Sequence, residues 1–292
     1  MTGTLGSTRA ATSGAQAADR HAAWRAARDR ALRAPHGWLS PTALLWPTST
    51  PGRLPGLPGE WWVADDRLLT RAVAGDESVL VGELVEYGGP TAVSVAEGRS
   101  LVLGTFLPAG RSGTASDGDP DGGSDGEREV AVEVVRRTGR YGLRPRDPLA
   151  PTRTGFTGVP AFAYDPAWVL DAPVRWYDEP APRTVGAARP RLVHHVEAVG
   201  EIEVRHDGAT HVLVLTGSRT RPTVLFTDEA DGVAPWRVVD VEAGDEQQGT
   251  VRVDLNRATN LPFAFTDHGT CPAPVPGNHL PFAVTAGERA PR

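Results

Sequence analysis

Glycine and proline interrupt this chain so often that long helices have little room. The 292 residues include 33 glycines and 26 prolines. Short apolar stretches lie between these turn residues, among them EWWVAD, SVLVGELVEY and SLVLGTFL, and their length and composition favour strands. Only AADRHAAWRAARDRALRAP has apolar residues at helical spacing, and a proline ends it. We therefore expect a mainly β protein, with antiparallel sandwich or barrel-like sheets and one N-terminal helix.

The same pattern predicts how the chain is organised. Residues 1–17 are small and polar and are expected to form a disordered tail. Residues 18–150 are expected to form the helix and a β subdomain that carries an acidic loop at 111–129. Residues 151–292 are expected to form a C-terminal β subdomain packed on the first. Within it, EIEVRHDGATHVLVLTG predicts a hairpin that turns at Asp207 and Gly208.

Composition excludes several classes of function. All 30 basic residues are arginine, so Schiff-base chemistry, pyridoxal phosphate anchoring and the lysine of a phosphate-binding loop are excluded. The net charge of −6 argues against general binding to nucleic acid. No apolar run approaches the ~20 residues that span a bilayer, so we expect no membrane association. The N-terminus lacks the apolar core of a signal peptide and there is one cysteine, so we expect a soluble, cytoplasmic protein.

Polar side chains are concentrated in two stretches. In TVRVDLN, residues alternate between faces, so Arg252, Asp254 and Asn256 share the face opposite the core. That row either lines a polar cleft or faces water, and its asparagines either bind a ligand or form turns. The second stretch, GRYGLRPRDP, offers arginine forks that suit a carboxylate or a phosphate. Its alternative is an Arg–Asp structural clasp at a strand end.

No metal or cofactor is predicted. The acidic loop is spaced like a calcium-binding loop, but Arg128 stands where the bidentate glutamate is required. In HHVE, His195 and Glu197 share a strand face, which is fewer than the three or four ligands that zinc takes. Cys271 is interpreted as a small buried apolar residue rather than a nucleophile. The local signatures of common enzyme classes, such as G-x-S-x-G and H-E-x-x-H, are absent from the sequence.

Six segments occur in an order that resembles a bacterial family of uncharacterised proteins, domain-of-unknown-function family 1684. They are HGWLSPTALLW, GRYGLRPRDP, FTGVPAFAYDPAW, VDLNRATNLPFAF, TCPAPVPGNHLPF and TAGER, and the resemblance runs from about residue 22 to residue 289. Phe263 stands where the family has a cysteine, so the resemblance implies no chemistry that needs two thiols. The C-terminal motif of the family is matched at Asp254, Asn256, Arg257, Asn260, Pro262, Cys271, Pro272 and Asn278.

Three interpretations of these clusters follow. The first is a β protein that binds a small anionic or carbonyl-bearing molecule. The second is a hydrolase-type enzyme, in which Asp254 acts as general base and Arg257 stabilises negative charge. The third gives the clusters a structural role only, as side-chain partners for a proline-rich segment that cannot form regular ladders. The pocket of the first interpretation would be formed by Arg144, Arg146, Asp147, Asp254, Asn256, Arg257 and Asn260.

Overall fold

The computed structural model describes residues 5–86, 89–111, 128–244 and 249–291, without the side chains of residues 5–13, 15 and 243. Most of the predicted acidic loop, residues 112–127, lies outside the described residues. The described structure is mainly β, with antiparallel sheets and one long N-terminal helix, as the sequence predicted. Contacts divide the chain into two compact units.

Helix α1 extends over Leu5–Leu32. Alanine and arginine dominate its second half and favour helix, and Pro35 lies just past its end. The helix begins at Leu5, so residues 5–17 are helical where the sequence predicted a disordered tail over residues 1–17. Residues 1–4 of that tail lie outside the described residues. Across the part of the chain that the structure describes, helices long and apolar enough to cross a membrane are absent.

The two-sheet unit consists of Ala31–Phe156 and Phe265–Gly269. It contains two antiparallel sheets of three strands, ordered β1-β2-β3 and β4-β5-β6. Trp61, Val132 and Leu143 are among the residues of its buried apolar core. The strands are β1 Glu60–Ala64, β2 Arg67–Arg71, β3 Thr91–Val93, β4 Ser100–Phe106, β5 Val130–Arg137 and β6 Arg140–Arg146, and the short helix α2 Pro151–Thr154 follows.

One strand predicted in this unit is absent from the described residues. In SVLVGELVEY the chain makes a single bridge, from Val81 to Thr105 of β4. The backbones of this segment and β4 come this close because each has a glycine at the contact. A Cβ on Gly82 would lie 2.6 Å from the carbonyl oxygen of Leu103. A Cβ on Gly104 would lie 2.4 Å from the carbonyl oxygen of Val81. The segment thus touches β4 at one point and turns away.

The large-sheet unit contains α1 as far as Arg30 together with Thr157–Ala264 and Thr270–Arg292. The helix therefore groups with the C-terminal strands rather than with the β subdomain that the sequence assigned to residues 18–150. Eight strands form one sheet, ordered β13-β11-β12-β7-β8-β9-β10-β14. They are β7 Val169–Gly186, β8 Val193–His206, β9 Ala209–Ser218, β10 Arg221–Asp228, β11 Arg237–Ala243, β12 Thr250–Asp254, β13 Thr259–Asn260 and β14 His279–Leu280.

Strand β11 partly closes this sheet, because its first half pairs with β10 and its second half with β12. The apolar core lies on the inner face and includes Ile202, Leu215 and Phe226, each 0% exposed. Val253 and Leu255 are also buried there, as the alternation predicted. The predicted hairpin joins β8 to β9.

The turn of that hairpin depends on two residues with positive φ. Asp207 has a φ of 47° and Gly208 a φ of 77°. A two-residue turn of this kind matches the twist of the flanking strands, and Asp-Gly tolerates its left-handed backbone. The position of the turn is therefore confirmed.

Arg237 at the start of β11 is fully buried in the large-sheet unit. Its Nη2 donates to Oδ2 of Asp228 at 2.7 Å and to the Val284 carbonyl at 3.1 Å. Its Nη1 donates to the carbonyls of Ala286 at 2.5 Å and Glu288 at 3.2 Å. One guanidinium thus links the closing strand to the last residues of the chain.

Replacing this arginine should cost much of the stability of the protein. Arg237→Met leaves the buried Asp228 carboxylate without its cation, and we expect the free energy of unfolding to fall by about 3–5 kcal/mol. The double variant Asp228→Asn/Arg237→Met should lose less than the single variant, because it removes both charges. Urea unfolding followed by tryptophan fluorescence measures both, with the exposed Arg221→Met as control; equal loss in Arg221→Met would contradict the prediction.

Candidate functional site

The seven residues that the sequence singled out divide between the two units. Arg144, Arg146 and Asp147 lie at the end of β6 in the two-sheet unit. The other four follow β12 in the large-sheet unit: Asp254, Asn256, Arg257 and Asn260.

The two arginines of β6 share one buried carboxylate. Arg144 Nη1 donates to Glu133 Oε2 at 2.9 Å, and Arg146 Nε donates to the same oxygen at 2.8 Å. Both guanidinium groups also lie over the Trp38 ring, 5.0 and 4.4 Å from its centroid. The Arg144 side chain is 0% exposed, so it is buried in the interior rather than presented to a ligand from solvent.

Asp147 takes a different partner from its two neighbours. It accepts two parallel hydrogen bonds from Arg111, at 2.9 and 2.7 Å, and a third from the Leu149 amide. Although burial raises the pKa of this carboxyl, the hydrogen bonds from Arg111 and Leu149 leave it below the ordinary value. The alternative of an Arg–Asp clasp at a strand end therefore describes Asp147, with Arg111 as its partner.

Asn256 fastens a distant loop through its side-chain amide. Its Oδ1 accepts from the Asp165 amide at 2.9 Å, and its Nδ2 donates to the Asp165 carbonyl at 2.9 Å. The residue is 1% exposed. Asp254 caps the short 3-10 helix Leu255–Arg257, since its Oδ1 accepts from the amide and the side chain of Asn256. Asn256 is thus a structural residue.

Asn260 joins helix α1 to the C-terminal residues within the large-sheet unit. Its amide donates to Glu288 Oε2 at 2.7 Å, its Nδ2 donates to the Arg289 carbonyl at 2.7 Å, and its carbonyl accepts from Arg28 at 2.9 Å. Glu288 is fully buried and also accepts from Arg28 Nε at 3.1 Å. Asn260 therefore belongs to a second structural network.

Asp254 and Arg257 differ from these asparagines because they border open space. A cleft of about 170 Å³ lies against helix α1 and the outer face of β11 and β12. We call it the arginine cleft. Its polar lining residues are Arg20, His21, Tyr164, Glu242, Arg252, Asp254 and Arg257.

The charges in the arginine cleft are only partly paired. Arg257 Nη1 donates to Glu242 at 2.7 Å, and its Nε lies 3.5 Å from Asp254 Oδ2. Arg20 and Arg252 are exposed, and neither forms an ion pair or a hydrogen bond through its side chain within the described parts of the chain. Three arginines thus face two carboxylates, which leaves an excess of positive charge.

His21 is the buried member of the arginine cleft. It is 8% exposed and packs between two aromatic rings, with centroid distances of 5.5 Å to Trp24 and 5.2 Å to Tyr164. Its Nδ1 is buried and has no hydrogen-bond partner among the described residues. Burial lowers the pKa of His21; Asp254 opposes this, and the positive charges of Arg25 and Arg257 lower it further. The imidazole is therefore neutral at neutral pH.

Sequence reasoning placed Arg252 on the same face as Asp254 but did not include it in the site. It missed Arg20, His21 and Tyr164 altogether. The arginine-rich face of the predicted helix was the one available signal for Arg20 and His21. Nothing in a single sequence pairs that helix with β12, because the two are more than two hundred residues apart.

Other features offer less chemistry. A larger cavity, of about 480 Å³, is lined by residues such as Thr70, Asp76, Leu80 and Thr91 of the two-sheet unit and contains none of the seven predicted residues. Within the described residues, groups of three or more His, Cys, Asp or Glu that could hold a metal ion are absent. The thiol of Cys271 is buried, in keeping with its interpretation as an apolar residue.

The large-sheet unit is a partly closed, mainly antiparallel β-sheet with a polar cleft on its outer face. Residues 154–289 match the family described as "Protein of unknown function (DUF1684)". The matched segment is a little under half of the chain, and it supports the family assignment that the motifs indicated. The matched segment contains strands β7 to β14 and the four predicted residues after β12; the segments HGWLSPTALLW and GRYGLRPRDP precede it.

A search of curated proteins found no match to the chain. Among solved structures, the chain is similar to the solution NMR structure of an uncharacterized protein from Haloarcula marismortui. The sequence identity is 24%, the similarity covers 47% of this chain and 78% of that chain, and the TM-score is 0.39. A TM-score this low does not establish a shared fold.

Replacing Glu133, whose carboxylate binds both arginines of β6, should destabilise the two-sheet unit. Glu133→Gln leaves Arg144 and Arg146 buried without a counter-charge, and we expect the free energy of unfolding to fall by about 3–5 kcal/mol. The exposed Glu77→Gln in the same unit is the matched control and should change it by less than about 0.5 kcal/mol. Urea unfolding tests the pair, and equal effects would show that the Glu133 network contributes little.

The neutral His21 should make stability depend on pH. The pKa of His21 in the folded protein lies below the ordinary value of about 6.5, so the unfolded chain binds the proton more readily. Stability is therefore lost as the pH falls below about 6.5. His21→Phe keeps the aromatic stack and removes the titration, so its free energy of unfolding should fall less than that of wild type between about pH 7.5 and about pH 5.5. Parallel loss in both proteins would contradict this.

Proposed function

We propose that this protein binds a small anionic or carbonyl-bearing molecule in the arginine cleft. The observation that carries the proposal is the state of Arg20 and Arg252, which line the cleft without an acidic partner among the described residues. An arginine that lacks a carboxylate partner offers a planar pair of N–H donors to one supplied by a ligand. The excess positive charge of the lining favours the same class of ligand.

The remaining lining residues suit a carboxylate or a carbonyl group. Tyr164 carries a hydroxyl and the neutral His21 carries ring nitrogens, and both groups can hydrogen-bond an uncharged oxygen. The volume of about 170 Å³ is below the range of pockets that enclose drug-sized molecules, roughly 300–1,000 Å³. The proposed ligand is therefore a small acid or the acidic end of a larger molecule.

Asn256 and Asn260 take no direct part in this proposal. Their side chains hold Asp165 and Arg289 in place, as the structural interpretation of the polar cluster expected for part of it. Arg144, Arg146 and Asp147 lie in the other unit and are likewise committed to protein partners. Of the seven predicted residues, Asp254 and Arg257 are the ones that the proposal retains. A cytoplasmic location is part of it, supported by the single cysteine, which allows no internal disulfide.

Hydrolysis is the second candidate, supported by the free oxygen of Asp254. Its Oδ2 accepts no hydrogen bond within the described residues and has only the contact of 3.5 Å to Arg257 Nε. A carboxylate oxygen in that state is able to accept a proton from water. If the protein is a hydrolase, it should turn over an ester or an amide, and Asp254→Asn should lose that activity. A protein that only binds its ligand should show no turnover.

Isothermal titration with acetate, succinate and inorganic phosphate tests the binding proposal. We expect one of these anions to bind wild type and to bind Arg252→Gln or Arg20→Gln about tenfold or more weakly, because each substitution removes a charged hydrogen-bond donor. Arg221→Gln, an exposed arginine of β10 outside the cleft, is the matched control and should bind as wild type does.

The pH dependence of anion affinity tests whether the anion binds in the arginine cleft, because His21 lines that cleft. A bound anion favours protonated His21 and so raises the pKa that burial lowers. The affinity should therefore rise as the pH falls from neutral into the acidic range, and the part of this rise that depends on His21 should vanish in His21→Phe. Binding that weakens equally in Arg221→Gln and Arg252→Gln would reflect surface charge only and would overturn the proposal, as would the absence of binding by all three anions.

A further inference from the structure

The cavity of about 480 Å³ in the two-sheet unit contains two threonines from neighbouring strands, and we call it the threonine cavity. Thr70 of β2 and Thr91 of β3 contribute to its lining, together with Leu80 and Val85 of the segment between these strands. Pockets that bind small molecules have volumes of roughly 300–1,000 Å³. The cavity is therefore large enough to hold a small organic ligand.

The strand register turns both threonines towards the interior of the unit. Thr70 is directly opposite Thr91 on β3 and Trp61 on β1. Residues directly opposite each other in antiparallel strands point to the same face, and Trp61 is 1% exposed in the apolar core. Leu80 belongs to that core and Val85 packs against it. The side chains of both threonines therefore point to the face on which the cavity lies.

The Thr70 hydroxyl is a buried polar group without a protein partner in the described chain. Thr70 is 6% exposed, and its side chain forms no hydrogen bond within the described residues. Burying a hydroxyl costs free energy unless the group is hydrogen-bonded. Because Thr70 lines the cavity, a molecule in the cavity is in a position to supply the missing partner.

The Thr91 hydroxyl still has a proton to donate. Its Oγ1 accepts from the Glu86 amide at 2.7 Å, and among the described residues its own proton has no acceptor. Side chains that are directly opposite in an antiparallel pair have Cβ atoms about 5 Å apart. The hydroxyls of Thr70 and Thr91 can therefore both donate to one oxygen atom placed between them.

The charged residues of the lining do not favour an ionic ligand. Arg71 donates twice to Glu60, at 2.8 and 2.6 Å, and Asp76 pairs with Arg53 at 2.6 Å. The exposed Glu86 is the other charged residue of the described lining. A carboxylate ligand thus meets two acids and an arginine that is already paired. An ammonium ligand has no lone pair for the threonine protons, whereas the oxygen of an uncharged carbonyl group has two.

We propose that the threonine cavity binds an uncharged carbonyl compound with an apolar body. Thr70 and Thr91 donate to the carbonyl oxygen, and the apolar body packs on Leu80 and Val85, where its transfer from water contributes to binding. This site is separate from the arginine cleft, whose lining residues all belong to the large-sheet unit.

Acetophenone, ethylbenzene, benzylamine and benzoate are the probes, since each combines a benzene ring with a different group. Isothermal titration of the full chain should show binding of acetophenone. Ethylbenzene should bind about tenfold or more weakly, because it lacks the carbonyl oxygen. Any binding of benzylamine or benzoate should be the same in wild type and in Thr70→Val.

Substitutions of Thr70 separate binding from folding. Thr70→Val removes the hydroxyl and keeps a β-branched side chain, so it should weaken acetophenone binding about tenfold. Its free energy of unfolding should not fall, because the hydroxyl has no hydrogen bond to lose in the described chain. Thr70→Ser keeps the hydroxyl and should retain the preference for acetophenone over ethylbenzene. Thr50→Val, at an exposed threonine of the same unit outside the cavity, is the matched control.

Four outcomes would overturn the proposal. They are equal affinity for acetophenone and ethylbenzene, no binding of acetophenone, acetophenone binding that is unchanged in Thr70→Val, and equal weakening in Thr50→Val. A marked loss of stability in Thr70→Val would also overturn it, since the hydroxyl would then have a structural role. Arg252→Gln, which tests the arginine cleft, should leave acetophenone binding unchanged, so failure at one site is distinguishable from failure at the other.

Discussion

The buried guanidinium of Arg237 is the interaction on which the large-sheet unit depends. It sits on the strand that partly closes the sheet, and it binds Asp228 together with the carbonyls of Val284, Ala286 and Glu288. Because a buried arginine is costly unless its donors are satisfied, the C-terminal residues must follow one path past it. That path places the Glu288 side chain, which in turn accepts from helix α1 and from the Asn260 amide.

Polar residues in this chain therefore have two physical roles that look alike in sequence. Asn256, Asn260 and Asn278 are almost fully buried, and each binds backbone groups that would otherwise lie unsatisfied beside irregular segments. Asp254 and Arg257 belong to the same motif as the first two asparagines but border a cleft. Alternation along β12 and the short 3-10 turn after it separate the buried role from the exposed one.

The outer face of the large sheet carries a region of excess positive charge, the arginine cleft. The arginine cleft has three arginines for two carboxylates. Helix α1, which is not part of the sheet, bounds the cleft on one side. The contact of Arg28 with Glu288 holds this helix in place, so the structural network and the proposed site depend on each other.

The amino-acid pattern alone determined the mainly β class, the hairpin at Asp207 and Gly208 and the burial of Val253 and Leu255, because all of these follow from neighbours in sequence. It also located the motif after β12. Only the tertiary structure decided which polar residues are clasps and which border a cleft. Asp165, the partner of Asn256, lies 91 residues away, and Arg28 lies 260 residues from Glu288. Strand alternation assigns a face to a side chain, but the partner on that face depends on how distant segments pack.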